Sequence, residues 1–177
     1  MANEKRVIAF DTGIYNMGCA VMIIRNDTYE IEKLDWRPLA DRGKYISRCD
    51  LCKKVIEYVN DILGEGDKRL IPNVVYVEQS YIRGGKGNTR TTNIEVCLMT
   101  IFTMMFPNAI VRSVRSSAIG KNGKKRTERI GFAIVEVSEK WKDYLLELKF
   151  PASKKRHQHV CDAIAMIVDK EKINTFQ

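Results

Sequence analysis

The stretch Arg6 to Ala20 reads RVIAFDTGIYNMGCA, and the fold turns on how it is read. Val7, Ile8, Ala9 and Phe10 form an apolar run of strand length that ends on a carboxylate, Asp11, with Thr12 and Gly13 directly behind it. A buried strand that delivers an acid to its end and then turns through glycine places one charge at the rim of a sheet. Gly13 is expected to let the backbone come close to whatever that charge holds. A lone Asp-x-Gly also caps ordinary turns. Asp11 becomes a candidate because two later stretches carry metal-binding side chains to positions of the same kind.

Outward from this stretch, Cys19 to Arg25 reads as a second strand and Tyr29 to Trp36 as a third. Asn26-Asp27-Thr28 between them has tight-turn composition, so the three strands are expected to form an antiparallel meander. Arg37 to Lys44, with Pro38 and Gly43, is a connection. From Ile46 to Leu63 apolar residues recur at helical spacing, and Gly64 and Gly66 stop that helix. Asn73 to Gln79 is a near-continuous apolar run with Glu78 at its end, which predicts a strand buried on both faces. Ser80 to Asn88 is expected as a flexible loop. A helix over Asn93 to Phe106, a short strand over Ala109 to Val114, a helix over Thr127 to Leu146 and a last helix from about Gln158 to Lys170 complete the chain. The order predicts one α/β domain over residues 1–177, a mixed five-stranded sheet with helices on both faces, as in an RNase H-like fold.

Composition narrows the function. At 177 residues the chain suits one domain with a sizeable core. No apolar run approaches the roughly 20 residues that cross a bilayer, and the mixed charges of MANEKR do not read as a secretory signal. The expectation is therefore an intracellular protein with no membrane partner. Five cysteines (Cys19, Cys49, Cys52, Cys97, Cys161) sit in apolar patterns and suit reduced core thiols, Cys49-x-x-Cys52 having no second pair to complete a zinc site. A net charge of +8, with a pI near 9.3, points to a polyanionic partner.

Three acidic positions carry the candidate chemistry. Asp11 and Glu78 each end a buried strand, an odd place for charge unless something offsets it. His159 and Asp162 stand at i and i+3 in the last helix, so their side chains share a face about 5–6 Å apart. Two strand-end carboxylates with an imidazole–carboxylate pair make a plausible hard-cation cage. Such a cage can hold two divalent ions about 3.5–4 Å apart for in-line attack on a phosphodiester.

Phe10-Asp11-Thr12-Gly13, Val77-Glu78-Gln79 and His159-x-x-Asp162-Ala163, in that order over nearly the whole chain, resemble the RuvC-type Holliday junction resolvases. Val77-Glu78-Gln79-Ser80, the Lys-rich segment and Cys161-Asp162-Ala163 look most like the poxviral branch and its phage relatives. The resemblance implies that Asp11, Glu78, His159 and Asp162 bind two divalent ions, Mg²⁺ or Mn²⁺. Asp11 would lie between the ions, Glu78 on one side and His159 with Asp162 on the other. Much of the family has Asp at the position of His159, which bears on metal preference and not on fold. A poxviral member would work in the host cytoplasm. Asp169, two turns beyond Asp162, reads as a solvated helix end.

Arg112 to Arg129 holds seven basic residues against one acid, with Gly120 and Gly123 predicting that part of it is a mobile loop. The family places a functional lysine here. Lys121, Lys124 and Lys125 are the candidates for steadying the developing phosphate charge, with Lys124 counted among the catalytic residues. Arg115, Arg126, Lys154, Lys155 and Arg156 are expected along the DNA backbone, as is Lys149, and Arg83, Lys86 and Arg90 near a junction's open centre. The resulting expectation is a metal-dependent endodeoxyribonuclease of DNA recombination and repair, resolving four-way junctions by paired incisions. Two symmetric nicks imply a homodimer, with the Asn93–Phe106 helix as its expected seam. The alternatives are a ribonuclease acting on RNA–DNA hybrids and a non-catalytic basic DNA-binding module. A nucleotide cofactor is not expected, because actin-like ATPases need two such domains.

Overall fold

The computed structural model describes residues 4–26, 28–80, 89–115, 120–149 and 156–173. Strands β1 (Glu4–Asp11), β2 (Met17–Arg25) and β3 (Thr28–Arg37) form the antiparallel meander. Asn26 takes a φ of 52° in the β2–β3 turn, a left-handed conformation that asparagine tolerates better than most residues. Helix α1 (Arg48–Leu63) follows, then β4 (Val74–Glu78), α2 (Thr89–Met105), β5 (Ile110–Val114), α3 (Gly120–Val135), α4 (Glu139–Lys149) and α5 (Arg156–Glu171). The sheet order is β3-β2-β1-β4-β5, with β4 parallel to both β1 and β5.

This is the mixed five-stranded sheet that the sequence predicts, with helices on both faces. Alternation along β1 and β4 divides the core in two. Val7, Ala9, Val74 and Tyr76 point to the layer formed by α3, α4 and α5. Ile8, Phe10, Val75 and Val77 point to the layer formed by α1 and α2, where Phe10 meets Phe102 at 5.5 Å between ring centroids. Truncating Phe102, which has no exposed surface, to Ala would remove about 3–5 kcal/mol of stability.

The termini of α1 follow from local chemistry. Ser47 accepts the Asp50 N–H at 3.1 Å, and Gly64, at φ 73°, donates its N–H to the Asn60 carbonyl. The helices depart from the sequence expectation in three places. The Thr127–Leu146 pattern is two helices, α3 and α4, separated at residues 136–138; Ile134 and Trp141 stand seven apart on either side, so the apolar period runs through the break. Trp141 ties α4 to β3 by donating Nε1–H to the Ile31 carbonyl at 3.0 Å. The segment around Gly120 and Gly123, expected as a loop, opens α3, so Lys124 and Lys125 lie on helix. Arg90 likewise lies in the first turn of α2, not on the loop before it.

All five thiols are free; Cys19 and Cys161 are buried, while Cys49 is exposed and Cys52 is in hydrogen-bond contact with Cys97. No helix among the described residues is long and apolar enough to cross a membrane.

Candidate active site

Asp11 and Glu78 end neighbouring parallel strands. β1 and β4 run in register from Val7 beside Val74 to Phe10 beside Val77, so the next residue on each strand is the acid. The Thr12 hydroxyl donates to the Glu78 carbonyl at 3.2 Å and locks the two strand ends together. Beyond Glu78, the Gln79 N–H donates to the Val114 carbonyl at 2.7 Å. Glu95 of α2 then accepts the Ser80 N–H at 2.8 Å and the Ser113 hydroxyl at 2.5 Å. Gly13 serves its own turn: a Cβ there would lie 2.5 Å from the Asn16 carbonyl oxygen.

Helix α5 brings the other two candidates. It packs across β2, β1 and β3, and its far end is anchored where Glu171 accepts Lys5 Nζ and the Tyr76 hydroxyl, each at 2.6 Å. Its near end touches the sheet backbone at Gly18, the ladder partner of Asp11. A Cβ on Gly18 would lie 2.3 Å from the His159 carbonyl oxygen. That contact sets His159 directly over Asp11, with Nδ1 to Oδ2 at 2.6 Å. Asp162, one turn on, receives the Thr127 hydroxyl at 2.5 Å and the Gln158 amide at 2.8 Å, both on Oδ1.

The electrostatics are those of crowded, buried acids. Asp11 is 5% exposed, and burial pushes its carboxyl up to about 7, against a lowering hydrogen bond with Glu78. Burial also raises Asp162, against Thr127 and Gln158, and lowers His159, against the charges of Asp162 and Glu78. Burial thus disfavours the charged form of both partners in the short His159–Asp11 hydrogen bond. Among the described residues no three His, Cys, Asp or Glu side chains stand as a ready-made metal cage. Asp11 Oδ2 is turned onto His159 instead. The donor set still fits hard divalent cations: it offers carboxylate oxygens and one imidazole, and the raised acids need the positive charge that a cation supplies.

Basic residues rim the same end of the sheet. Lys124 is exposed on α3, yet its charge acts on both Asp11 and His159, which singles it out from Lys125. Arg90 lies over the Tyr45 ring at 5.8 Å and Arg156 over Trp36 at 4.6 Å; Arg115 is exposed at the end of β5. Arg126 turns its guanidinium onto Asp169, which is thus a partner of α3 and not a bare helix end. Lys149 pairs with Glu128 at 3.1 Å. Arg83, Lys86, Lys154 and Lys155, and the side chain of Lys121, lie outside the described residues. Nothing in the sequence alone marks the roles of Thr127, Gln158 and Gly18. Only the Gln158–Asp162 spacing of four on a helix hinted at any of them.

No protein-family model matches the chain, and no curated protein does. Solved structures do match. The fowlpox virus Holliday junction resolvase superposes with a TM-score of 0.60 at 12% identity, over 94% of this chain and 99% of its own. The Thermus thermophilus RuvC structure gives 0.61 at 12% identity, over 95% of this chain and 97% of that one. The chain has the RuvC-type, RNase H-like fold. T. thermophilus RuvC in complex with Holliday junction substrate matches at 0.54 and 13% identity, over 94% of this chain and 96% of that one. In the RuvC-type frame found here, Asp11 and Glu78 occupy the carboxyl ends of adjacent strands, the end at which open α/β sheets bind ligands.

Proposed function

We propose that this chain is a structure-selective DNA endonuclease that resolves four-way junctions by metal-dependent phosphodiester hydrolysis. One observation carries the reading: buried Asp11 and Asp162, with Glu78 and His159, converge at a sheet rim surrounded by basic residues, on a fold shared with junction resolvases. Asp11, Glu78, His159 and Asp162 would hold two divalent ions, Mg²⁺ or Mn²⁺. Bound there, the ions would polarise the phosphodiester and lower the pKa of the attacking water. Lys124 would hold the phosphate's developing negative charge, being a cation whose field already reaches Asp11 and His159. Arg90, Arg115, Lys125 and Arg156 would track the backbone by charge, and with no base-reading motif in the sequence recognition would be by shape. Such a substrate implies work inside a cell, where DNA recombines.

Replacing Lys124 and Lys125 together by Ala should weaken junction binding. Each lost phosphate contact should lower the slope of log K against log salt by about 0.9. An unchanged slope across a salt titration would return α3's basic face to solvated surface. Lys124→Ala alone should lower the cleavage rate more than Lys125→Ala does.

Paired incision needs two sites, hence a homodimer. On α2, Phe102 is fully buried against Phe10 and Phe106 and belongs to the core, so it cannot form the seam that the sequence suggested. Met104, 77% exposed, and Val96, 58% exposed, are the apolar groups of α2 free to face a second copy. Met104→Glu should leave the fold intact and yield monomers in sedimentation. Dimers of unchanged affinity would move the seam off α2.

The reading is tested with an immobile four-way junction, a linear duplex of the same sequence and an RNA–DNA hybrid, each with Mg²⁺ or Mn²⁺. Cleavage of the junction alone supports it. Cleavage of the hybrid alone would make the protein a ribonuclease, and junction binding without cleavage in either metal would make it a binding module.

A further inference from the structure

Asp162 is gripped from a neighbouring helix. Thr127, on α3, has no exposed surface, and Gln158, one turn before Asp162 on α5, is 7% exposed. The Thr127 hydroxyl reaches Asp162 Oδ1 at 2.5 Å and the Lys124 carbonyl at 3.1 Å. Gln158 Nε2 reaches Asp162 Oδ1 and Thr127 Oγ1, each at 2.8 Å, and the Lys124 carbonyl at 3.2 Å.

A hydroxyl has one proton to give and an amide nitrogen two. The hydroxyl proton goes to the carboxylate, the nearer and more basic acceptor. One amide proton goes to the same carboxylate oxygen. The other lies between Thr127 Oγ1 and the Lys124 carbonyl, so the amide also reaches the backbone that carries Lys124. Oδ1 thus receives two donors and has its two lone-pair directions filled, which leaves Oδ2 as the oxygen for a cation.

We infer that Thr127 and Gln158 are positioning residues: they fix Asp162 as a ligand through Oδ2 alone and hold it in register with Lys124. This rests on the metal-binding reading of the site above. Outer partners of this kind tune affinity because a ligand that must find its own rotamer binds more weakly. The network also couples the two chemistries proposed for the site, since a shift of α3 against α5 would disturb the lysine and the carboxylate at once.

The test is Mn²⁺ binding to the whole chain without DNA, followed by the EPR signal of free Mn²⁺, with thermal unfolding of the metal-free protein alongside. Thr127→Val keeps the shape and removes the proton; it should weaken Mn²⁺ binding by about 10- to 100-fold. Thr127→Ser should restore binding to within about threefold of the wild type, which a purely packing role for the methyl group would not do. Gln158→Met, which deletes the other donor and is read in the same way should Thr127→Val fail to fold, should weaken binding by about tenfold. Wild-type affinity in both the Val and Met variants would overturn the inference while leaving the metal site standing. Absence of Mn²⁺ binding in the wild type would overturn the site itself, and the inference with it.

Discussion

Asp11→Asn is expected to abolish cleavage, on the order of a thousandfold or more, while junction affinity stays equal or rises. The loss is large because Asp11 touches both His159 and Glu78, so no other group among the four can take its place. Affinity is kept because the change removes an ionisable carboxyl from a site that must meet phosphates. The same substitution should stabilise the metal-free protein, with a defined pH dependence. Folding raises the Asp11 carboxyl from an ordinary 3.8 to about 7, so between those values the native state holds a proton that the unfolded chain releases. The contribution of this carboxyl to native stability is then greatest below about pH 4, falls as pH rises toward 7, and levels off above. That rise corresponds to about 4 kcal/mol as an upper bound. Asn cannot ionise, so the variant should unfold at a higher temperature than the wild type at pH 8, with the gain vanishing near pH 4. Thermal unfolding at the two pH values checks it. Near wild-type nicking would remove Asp11 from the chemistry, and a pH-independent stability difference would contradict the account of its burial.

Gly18→Ala should produce the second largest effect, through backbone alone. The new Cβ would sit 2.3 Å from the His159 carbonyl oxygen and 2.8 Å from the Val160 nitrogen. Neither atom belongs to a flexible side chain, so the strain is relieved only by moving α5 off β2. Overpacking of this kind commonly costs about 1–3 kcal/mol, and more where backbone is the obstacle. The functional loss should exceed the stability loss, because the displaced residues are those that set His159 over Asp11. A misplacement of about 1 Å can lower a rate by on the order of a hundredfold. Gly131→Ala is the comparison. Its Cβ would meet Cys161 Sγ at 2.5 Å and the Cys161 backbone at 3.1 Å, straining the α3–α5 contact without pressing on the His159 carbonyl. If Gly18→Ala melts lower but cleaves at the wild-type rate, the close approach at Gly18 supports the fold and not the site.

The strand ends were legible in the sequence because an apolar run that stops on an acid is a local pattern. The run from Val7 to Asp11 and that from Asn73 to Glu78 needed no knowledge of their partners. His159 and Asp162 were legible for the same reason, as neighbours on one helix face. Thr127 was not, because its role depends on α3 lying against α5, 35 residues apart in sequence. Gly18 was hidden inside an apolar run, where its missing side chain matters only once a helix is laid across it. The break between α3 and α4 was invisible because the apolar period continues through it. Charge counting placed Arg126 among the DNA contacts, whereas the structure gives it Asp169 as a partner. It also could not separate Lys124 from Lys125; only the placement of α3 over the acids does so.

Paired incision at a branch is tested with a supercoiled plasmid carrying an inverted repeat extruded as a cruciform. A dimer that cuts both opposed strands within one encounter converts the plasmid to linear product without accumulating nicked circles. Linear product is expected in Mg²⁺ or Mn²⁺ from the wild type, and uncut plasmid bound by Asp11→Asn. Nicked circles alone, or equal cutting of a plasmid without the repeat, would contradict it.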